Sequence, residues 1–310
     1  MGKQPVIEAV KLTKVYDGFT AVDSLDLRVE EGEIFGFLGP NGAGKTTTIL
    51  MLLGLTEPTS GMATVYGYNV SREPLEVKRV AGHVPENLGL YEDLTSSENI
   101  KYIARLNSLS DRETSKRIPE LLDLVGLSGV ARQKTGTFSR GMKQRLGIAG
   151  VLVKDPKVVF LDEPTSGLDP DGANIVLDLI SRMSEERHIT VLISSHLLPQ
   201  IQKICHRVGI LSKGHLVASG PIEQLGKEML GGAQMVVELE AEGATPHLAD
   251  SIREIDGVTK VEESGNRLLI SCQRDIRAQI SRVVFQSNGS VVEMKLRGYG
   301  LEEIYMRYFK

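Results

Sequence analysis

Gly39-Pro40-Asn41-Gly42-Ala43-Gly44-Lys45-Thr46 has the form G-x-x-x-x-G-K-[ST]. Small residues at these spacings let consecutive backbone N–H groups close around phosphates, with Lys45 reaching the β and γ oxygens and the Thr46 hydroxyl on Mg²⁺. Thr47 follows as a further phosphate contact. Residues 33–38 ahead of the loop form an apolar run of strand length, and residues 47–55 behind it read as a helix. A Gly-rich surface turn between a strand and a helix shares this local pattern, so motifs elsewhere in the chain must separate the two.

The chain has 310 residues and a formal charge of −4, which suggests about two domains and gives no basic block for a nucleic-acid surface. No apolar run approaches the roughly 18 residues of a spanning helix, and the N-terminal residues lack a signal-peptide pattern. A cytosolic protein is expected. Cys205 and Cys272 lack metal-ligand spacing and read as small hydrophobes.

Strand and helix signals alternate to about Pro221, the pattern of an α/β core with a largely parallel sheet. The expected nucleotide domain spans residues 1–222 and the linker 223–232, a short helical stretch after Gly220-Pro221 followed by Gly231-Gly232 as punctuation. Beyond it, over 233–310, strands are expected at 234–239, 258–262, 267–272 and 290–296, and helices at 246–255 and 274–285. That βαββαβ order corresponds to a small ferredoxin-like α+β domain. A last helix over 301–309 places Leu301, Ile304, Tyr305 and Tyr308 on one face, which could dock on its own domain or on a second copy.

Residues 157–163 form an apolar strand ending in Asp162 and Glu163. The pair can divide the labour. Asp162 can hold Mg²⁺, while Glu163, pointing the other way, can take a proton from an attacking water. Adjacent acids after a strand are commonly a solvated turn; the phosphate loop is what favours the catalytic reading. Phe138-Ser139-Arg140-Gly141-Met142-Lys143-Gln144 precedes a helical run through residue 153, with Ser139 as its N-cap.

With Lys45, Asp162-Glu163 and this segment in order, the chain resembles the ATP-binding subunit of an ABC transporter. The family signature reads L-S-G-G-Q; Phe138-Ser139-Arg140-Gly141-Met142 keeps the serine and second glycine and departs at the other three places, and such variants resemble the drug and ABC-2 type exporter branch. The resemblance implies further parts. Ser166-Gly167-Leu168-Asp169 resembles the loop that crosses the dimer interface, His196 after Ser194-Ser195 the switch histidine on the γ-phosphate, and Tyr16 the aromatic that stacks on adenine. Glu86, in Gly82-His83-Val84-Pro85-Glu86-Asn87, stands where the family usually has a glutamine touching Mg²⁺ and water.

The implied architecture is a P-loop ABC-type nucleotide-binding domain with a helical subdomain at about 88–137. The implied mechanism is ATP hydrolysis with Mg²⁺ in a homodimer, the loop around Lys45 of one copy facing Ser139 and Gly141 of the other. Integral membrane permease subunits would be the partners, and the chain would sit on the cytoplasmic membrane face through them. A non-transport ABC ATPase, acting as a regulatory or binding module, is the rival. The coiled-coil insertion of repair types and the second nucleotide domain of translation types do not occur, and neither does the Asn-Lys-x-Asp motif of a GTPase.

Overall fold

The computed structural model describes residues 5–205, 207–229, 235–243, 247–264, 267–297 and 301–308. Chain contacts divide it into two compact units, Met1–Ser219 and Gly220–Lys310.

The first unit is built on a six-stranded sheet in the order His215–Pro221, Arg207–Ser212, Ile34–Leu38, Thr190–Ser195, Val158–Asp162, Ala81–Val84. The four pairings between Arg207–Ser212 and Ala81–Val84 are all parallel. Every residue of Ile34–Leu38, Val158–Asp162 and Thr190–Ser195 is buried, as expected of strands covered on both faces. Register then fixes the site. Leu38 pairs with Ser195 and Asp162 with Ser194, so three strands end level, at the carboxyl edge where α/β sheets receive ligands.

A second, antiparallel sheet runs Phe19–Glu30, Pro5–Tyr16, Ser60–Val65, Tyr68–Asn69. The alternating strand and helix signals gave no warning of it. Its inner side chains, among them Ile7, Leu12, Leu25 and Val29, share one core with Phe35 and Phe37 of the parallel sheet and with Ile49 and Leu52 of the helix Lys45–Leu52. Each such side chain contributes roughly 1.5–3 kcal/mol when fully buried, which fixes that helix and hence the loop before it.

Within residues 88–137 lie the helices Ser96–Leu106 and Asp111–Leu124 and two short 3₁₀ turns. Both helices start in a capping box, Thr95 with Glu98 and Ser110 with Glu113, which satisfies amide groups that the first turn leaves unpaired. The helix Arg140–Leu152 follows, and Ser139 caps it by accepting from the Met142 N–H at 3.2 Å.

In the second unit the strand order is Val258–Ser264, Arg267–Cys272, Met235–Glu242, Ser290–Arg297, with helices Leu248–Arg253 and Arg277–Gln286 in the connections. This is the ferredoxin-like arrangement. Val237, Leu239, Ile270, Ile280 and Val284 form its core. Residues 222–229, most of the expected linker, form a helix clustering with this unit, and Leu301–Tyr308 packs on that helix with Leu301 and Ile304 buried. The last helix therefore docks within its own unit. Gly231, Gly232, Gln234, Pro246 and Phe309 lie outside the described residues. Both cysteines are buried, and burial pushes their thiols up, away from the thiolate form.

Candidate nucleotide site

The loop owes its shape to two features. The Ala43 N–H donates to the Pro40 carbonyl at 3.1 Å, and Gly44 takes φ 105°, where a Cβ would stand 2.6 Å from the Ala21 carbonyl oxygen. Only glycine fits there, and the helix begins at once with Lys45. Gly42, at φ 79°, has open space where a Cβ would be. The loop borders a cleft of about 390 Å³ lined by Pro40, Asn41, Gly42, Gly44, Lys45, Thr46 and Thr47. Gly39 and Ala43 shape the loop and do not line the cleft. Gly39 instead offers its carbonyl to the Lys45 ammonium at 2.7 Å, with Pro40 accepting at 3.3 Å.

Glu163 closes one side of the cleft. Its backbone adopts φ 48°, an uncommon conformation for a residue with a side chain. The Glu163 N–H donates to the Ser194 hydroxyl at 3.0 Å and lies 3.2 Å from the Ser194 carbonyl, which holds that turn. Glu163 Oε1 stands 3.2 Å from the Lys45 ammonium, outside hydrogen-bond geometry, and Oε2 stands 2.8 Å from His196 Nδ1. The Asp162 carboxylate accepts from the Thr46 hydroxyl at 2.8 Å and from the Ser194 hydroxyl. Asp162 and His196 therefore reach the cleft through Thr46 and Glu163.

Thr46 and Asp162 offer two adjacent hard oxygen donors. Such a set suits a small hard cation that keeps waters and phosphate oxygens as its other ligands. Among the described residues no group of three or more His, Cys, Asp or Glu could hold a metal by itself. Glu86 is exposed and lines the same cleft. His83, on the neighbouring strand, has a buried Nε2 without a hydrogen-bond partner; burial lowers its pKa, against an opposing pull from the Asp162 carboxylate.

Tyr16 lines the rim, with the Lys14 ammonium 4.8 Å from its ring centroid. Phe19 pairs with Tyr16 across the hairpin and adds a second aromatic, 65% exposed. Sequence reading missed Phe19 because it did not foresee the antiparallel sheet. It also gave Ser194 no role beyond membership of a motif; the signal available was a hydroxyl on a strand beside Asp162.

Ser139 and Gly141 lie elsewhere. They line a separate cavity of about 390 Å³ with Arg140, Gly167, Leu168 and Asp169, and no residue is shared with the Lys45 cleft. Asp169 caps the helix Pro170–Arg187 by accepting from the Gly172 N–H at 2.7 Å.

The ABC transporter family pattern matches residues 22–166. The chain is 43% identical over 222 residues to the bacitracin transport ATP-binding protein of Bacillus licheniformis, covering 72% of each. It is 35% identical over 256 residues to the linearmycin resistance ATP-binding protein of Bacillus subtilis, covering 83% of this chain and 81% of the relative. Among solved structures, a dimeric ATP-binding cassette in a post-hydrolysis state bound to ADP and Pi is similar with a TM-score of 0.63 and 25% identity, covering 69% of this chain and 98% of that one.

Proposed function

The chain belongs to the ATP-binding subunits of ABC transporters, and from that premise we propose that it drives an ABC-2 type exporter through a dimer that closes on two ATP molecules. The observation that carries the dimer is the separation of the two cavities. Lys45, Thr46 and Glu163 surround one, Ser139 and Gly141 the other, so each chain holds two complementary halves of a site. Export is supported by likeness to relatives named for bacitracin transport and linearmycin resistance.

In this mechanism the loop amides and Lys45 bind the β- and γ-phosphates, and Tyr16 and Phe19 take the base. Mg²⁺, held by Thr46 and Asp162 with Glu86 at its outer edge, would neutralise charge on the phosphate oxygens. Glu163 takes the proton of the attacking water as the γ-phosphorus–bridging-oxygen bond breaks and ADP leaves. His196 orients the Glu163 carboxylate and is placed to turn to the γ-phosphate. Ser139 and the amide of Gly141, from the second copy, complete the stabilisation of charge. Losing one such donor typically costs about 3 kcal/mol in the transition state, so the isolated chain should turn over slowly.

We assign residues 1–222 to this catalytic work and 233–310 to regulation or support of the dimer, since the described residues of the second unit hold no metal group. Unaltered ATPase activity and dimerisation after removal of residues 232–310 would overturn the second assignment. No helix among the described residues is long and apolar enough to cross a membrane, so attachment to the cytoplasmic face would run through a permease. Co-purification from detergent-solubilised membranes tests the whole. An integral membrane protein should come with the chain and raise its turnover, and Lys45→Ala should abolish that turnover. An active ATPase that captures no membrane protein would favour a regulatory module instead.

A further inference from the structure

Tyr16 is 42% exposed at the rim of the cleft, and the Lys14 ammonium stands over its ring, 4.8 Å from the centroid. Tyr16 lines the cleft and Lys14 does not, which puts the cation behind the ring as seen from the cleft.

The ammonium is tied where it stands. It donates to the Glu57 carbonyl at 2.7 Å, 43 residues along the chain. The Val15 N–H donates to the Thr59 hydroxyl at 3.0 Å and the Thr59 N–H to the Thr13 carbonyl at 2.8 Å, so residues 57–59 are pinned beside residues 13–15 and the anchoring carbonyl is itself fixed. A lysine side chain ordinarily samples many rotamers, and holding its tip over a ring selects among them.

An exposed ring on a hairpin needs support of this kind, because core packing does little to set its orientation. The face of an aromatic ring carries partial negative charge, which attracts a cation and repels the face of a second ring. A cation behind Tyr16 therefore orients the ring and draws electron density away from its front, the side on which a base would stack.

We propose that Lys14 is a positioning residue for the nucleobase: anchored on Glu57, it holds the Tyr16 ring from behind and presents the front face to the base. This rests on the stacking role given to Tyr16 above. Lys14 acts through the ring and not on the phosphates, so its effect follows the base.

The test compares ADP with pyrophosphate, which carries phosphates and no base, by displacement of a fluorescent ADP analogue from the full chain with Mg²⁺ present. Lys14→Gln keeps a polar side chain and removes the charge. It should weaken ADP about three- to fivefold, and Lys14→Arg should restore the parent affinity. Tyr16→Leu should weaken ADP at least about fivefold, and adding Lys14→Gln to it should change nothing more. Pyrophosphate should bind each variant as it binds the parent, which a misfolded loop could not show. In steady-state hydrolysis the loss in Lys14→Gln should fall on KM rather than on kcat. Equal weakening of ADP and pyrophosphate would make Lys14 a general attractor of phosphate charge, and a further loss on the Tyr16→Leu background would mean that it acts other than through the ring; either overturns the proposal. Should Tyr16→Leu leave ADP affinity unchanged, the stacking itself fails. Should Tyr16→Leu weaken ADP while Lys14→Gln does not, only the role of Lys14 fails.

Discussion

The Lys45 ammonium stands 3.2 Å from Glu163 Oε1, and both side chains are more than nine-tenths buried. Without nucleotide the phosphate-binding cation and the proposed base neutralise each other, so an arriving triphosphate must draw Lys45 away and free the carboxylate. The two residues are unequal in their other support. Lys45 keeps two backbone carbonyls if Glu163 is lost, whereas the Glu163 carboxylate without Lys45 keeps, among the described residues, the His196 imidazole as its partner. Lys45→Ala should therefore lower the stability of the nucleotide-free chain by about 3 kcal/mol and Glu163→Gln by clearly less. Urea unfolding without nucleotide measures both, and equal losses would contradict this asymmetry.

Glu163→Gln also separates binding from chemistry. The amide keeps the shape and can still face Lys45 and His196, but it cannot accept the proton of the attacking water. The variant should bind ATP as the parent does, release no phosphate and accumulate as a dimer. Phosphate release at the normal rate would show that the proton goes elsewhere.

Ser194 ties the two acids together, donating to Asp162 and accepting from the Glu163 N–H. It is fully buried, so Ser194→Ala leaves an acceptor and a donor without that partner in the core. A loss of about 1–3 kcal/mol is expected, together with a fall in kcat that exceeds any change in KM, because what is disturbed is the aim of Asp162 and Glu163. Steady-state kinetics beside urea unfolding would separate the two effects.

How the site could be read from sequence follows from where its parts lie. The loop 39–46, Asp162-Glu163 and Ser139 are contiguous stretches whose local chemistry announces them, and the parallel register of 34–38, 158–162 and 190–195 then brings the first two together. The second role of Ser194 depends on a pairing between distant strands, which local patterns do not encode, whereas Phe19 is set opposite Tyr16 by the Asp17-Gly18 turn, a local hairpin signal that the reading passed over. The hairpin that sets Phe19 opposite Tyr16 belongs to an antiparallel sheet whose strands sit among helices in the chain order. The βαββαβ order was legible because its strands alternate and are punctuated by turns. Boundaries shifted by a few residues, as at Leu248–Arg253 against the expected 246–255.

Glu86 lines the cleft where the family usually has glutamine. It is exposed, so the added charge beside a triphosphate is screened by water. A carboxylate serves Mg²⁺ at least as well as an amide. Glu86→Gln should leave ATP hydrolysis within a few-fold of the parent, as phosphate release at several Mg²⁺ concentrations would show. Complete loss of turnover would mean that the two groups are not interchangeable here.

His83 gives the fold a dependence on pH. Its imidazole is partly buried beside the strand that carries Asp162, its Nε2 lacks a partner, and burial lowers its pKa more than the Asp162 carboxylate raises it. The unfolded chain protonates this ring near pH 6.5, whereas the folded chain resists doing so. Above about pH 7 the ring is neutral in both states and has no effect. As the pH falls below about 6.5 the unfolded state binds the extra proton and stability declines, until the folded-state pKa is passed and the decline levels off. His83→Gln removes that titration, so the urea midpoint of the parent should fall more steeply than that of the variant between pH 7 and pH 5.5. Parallel curves would show that the folded protein accommodates the charged imidazole, with Asp162 as its counter-ion.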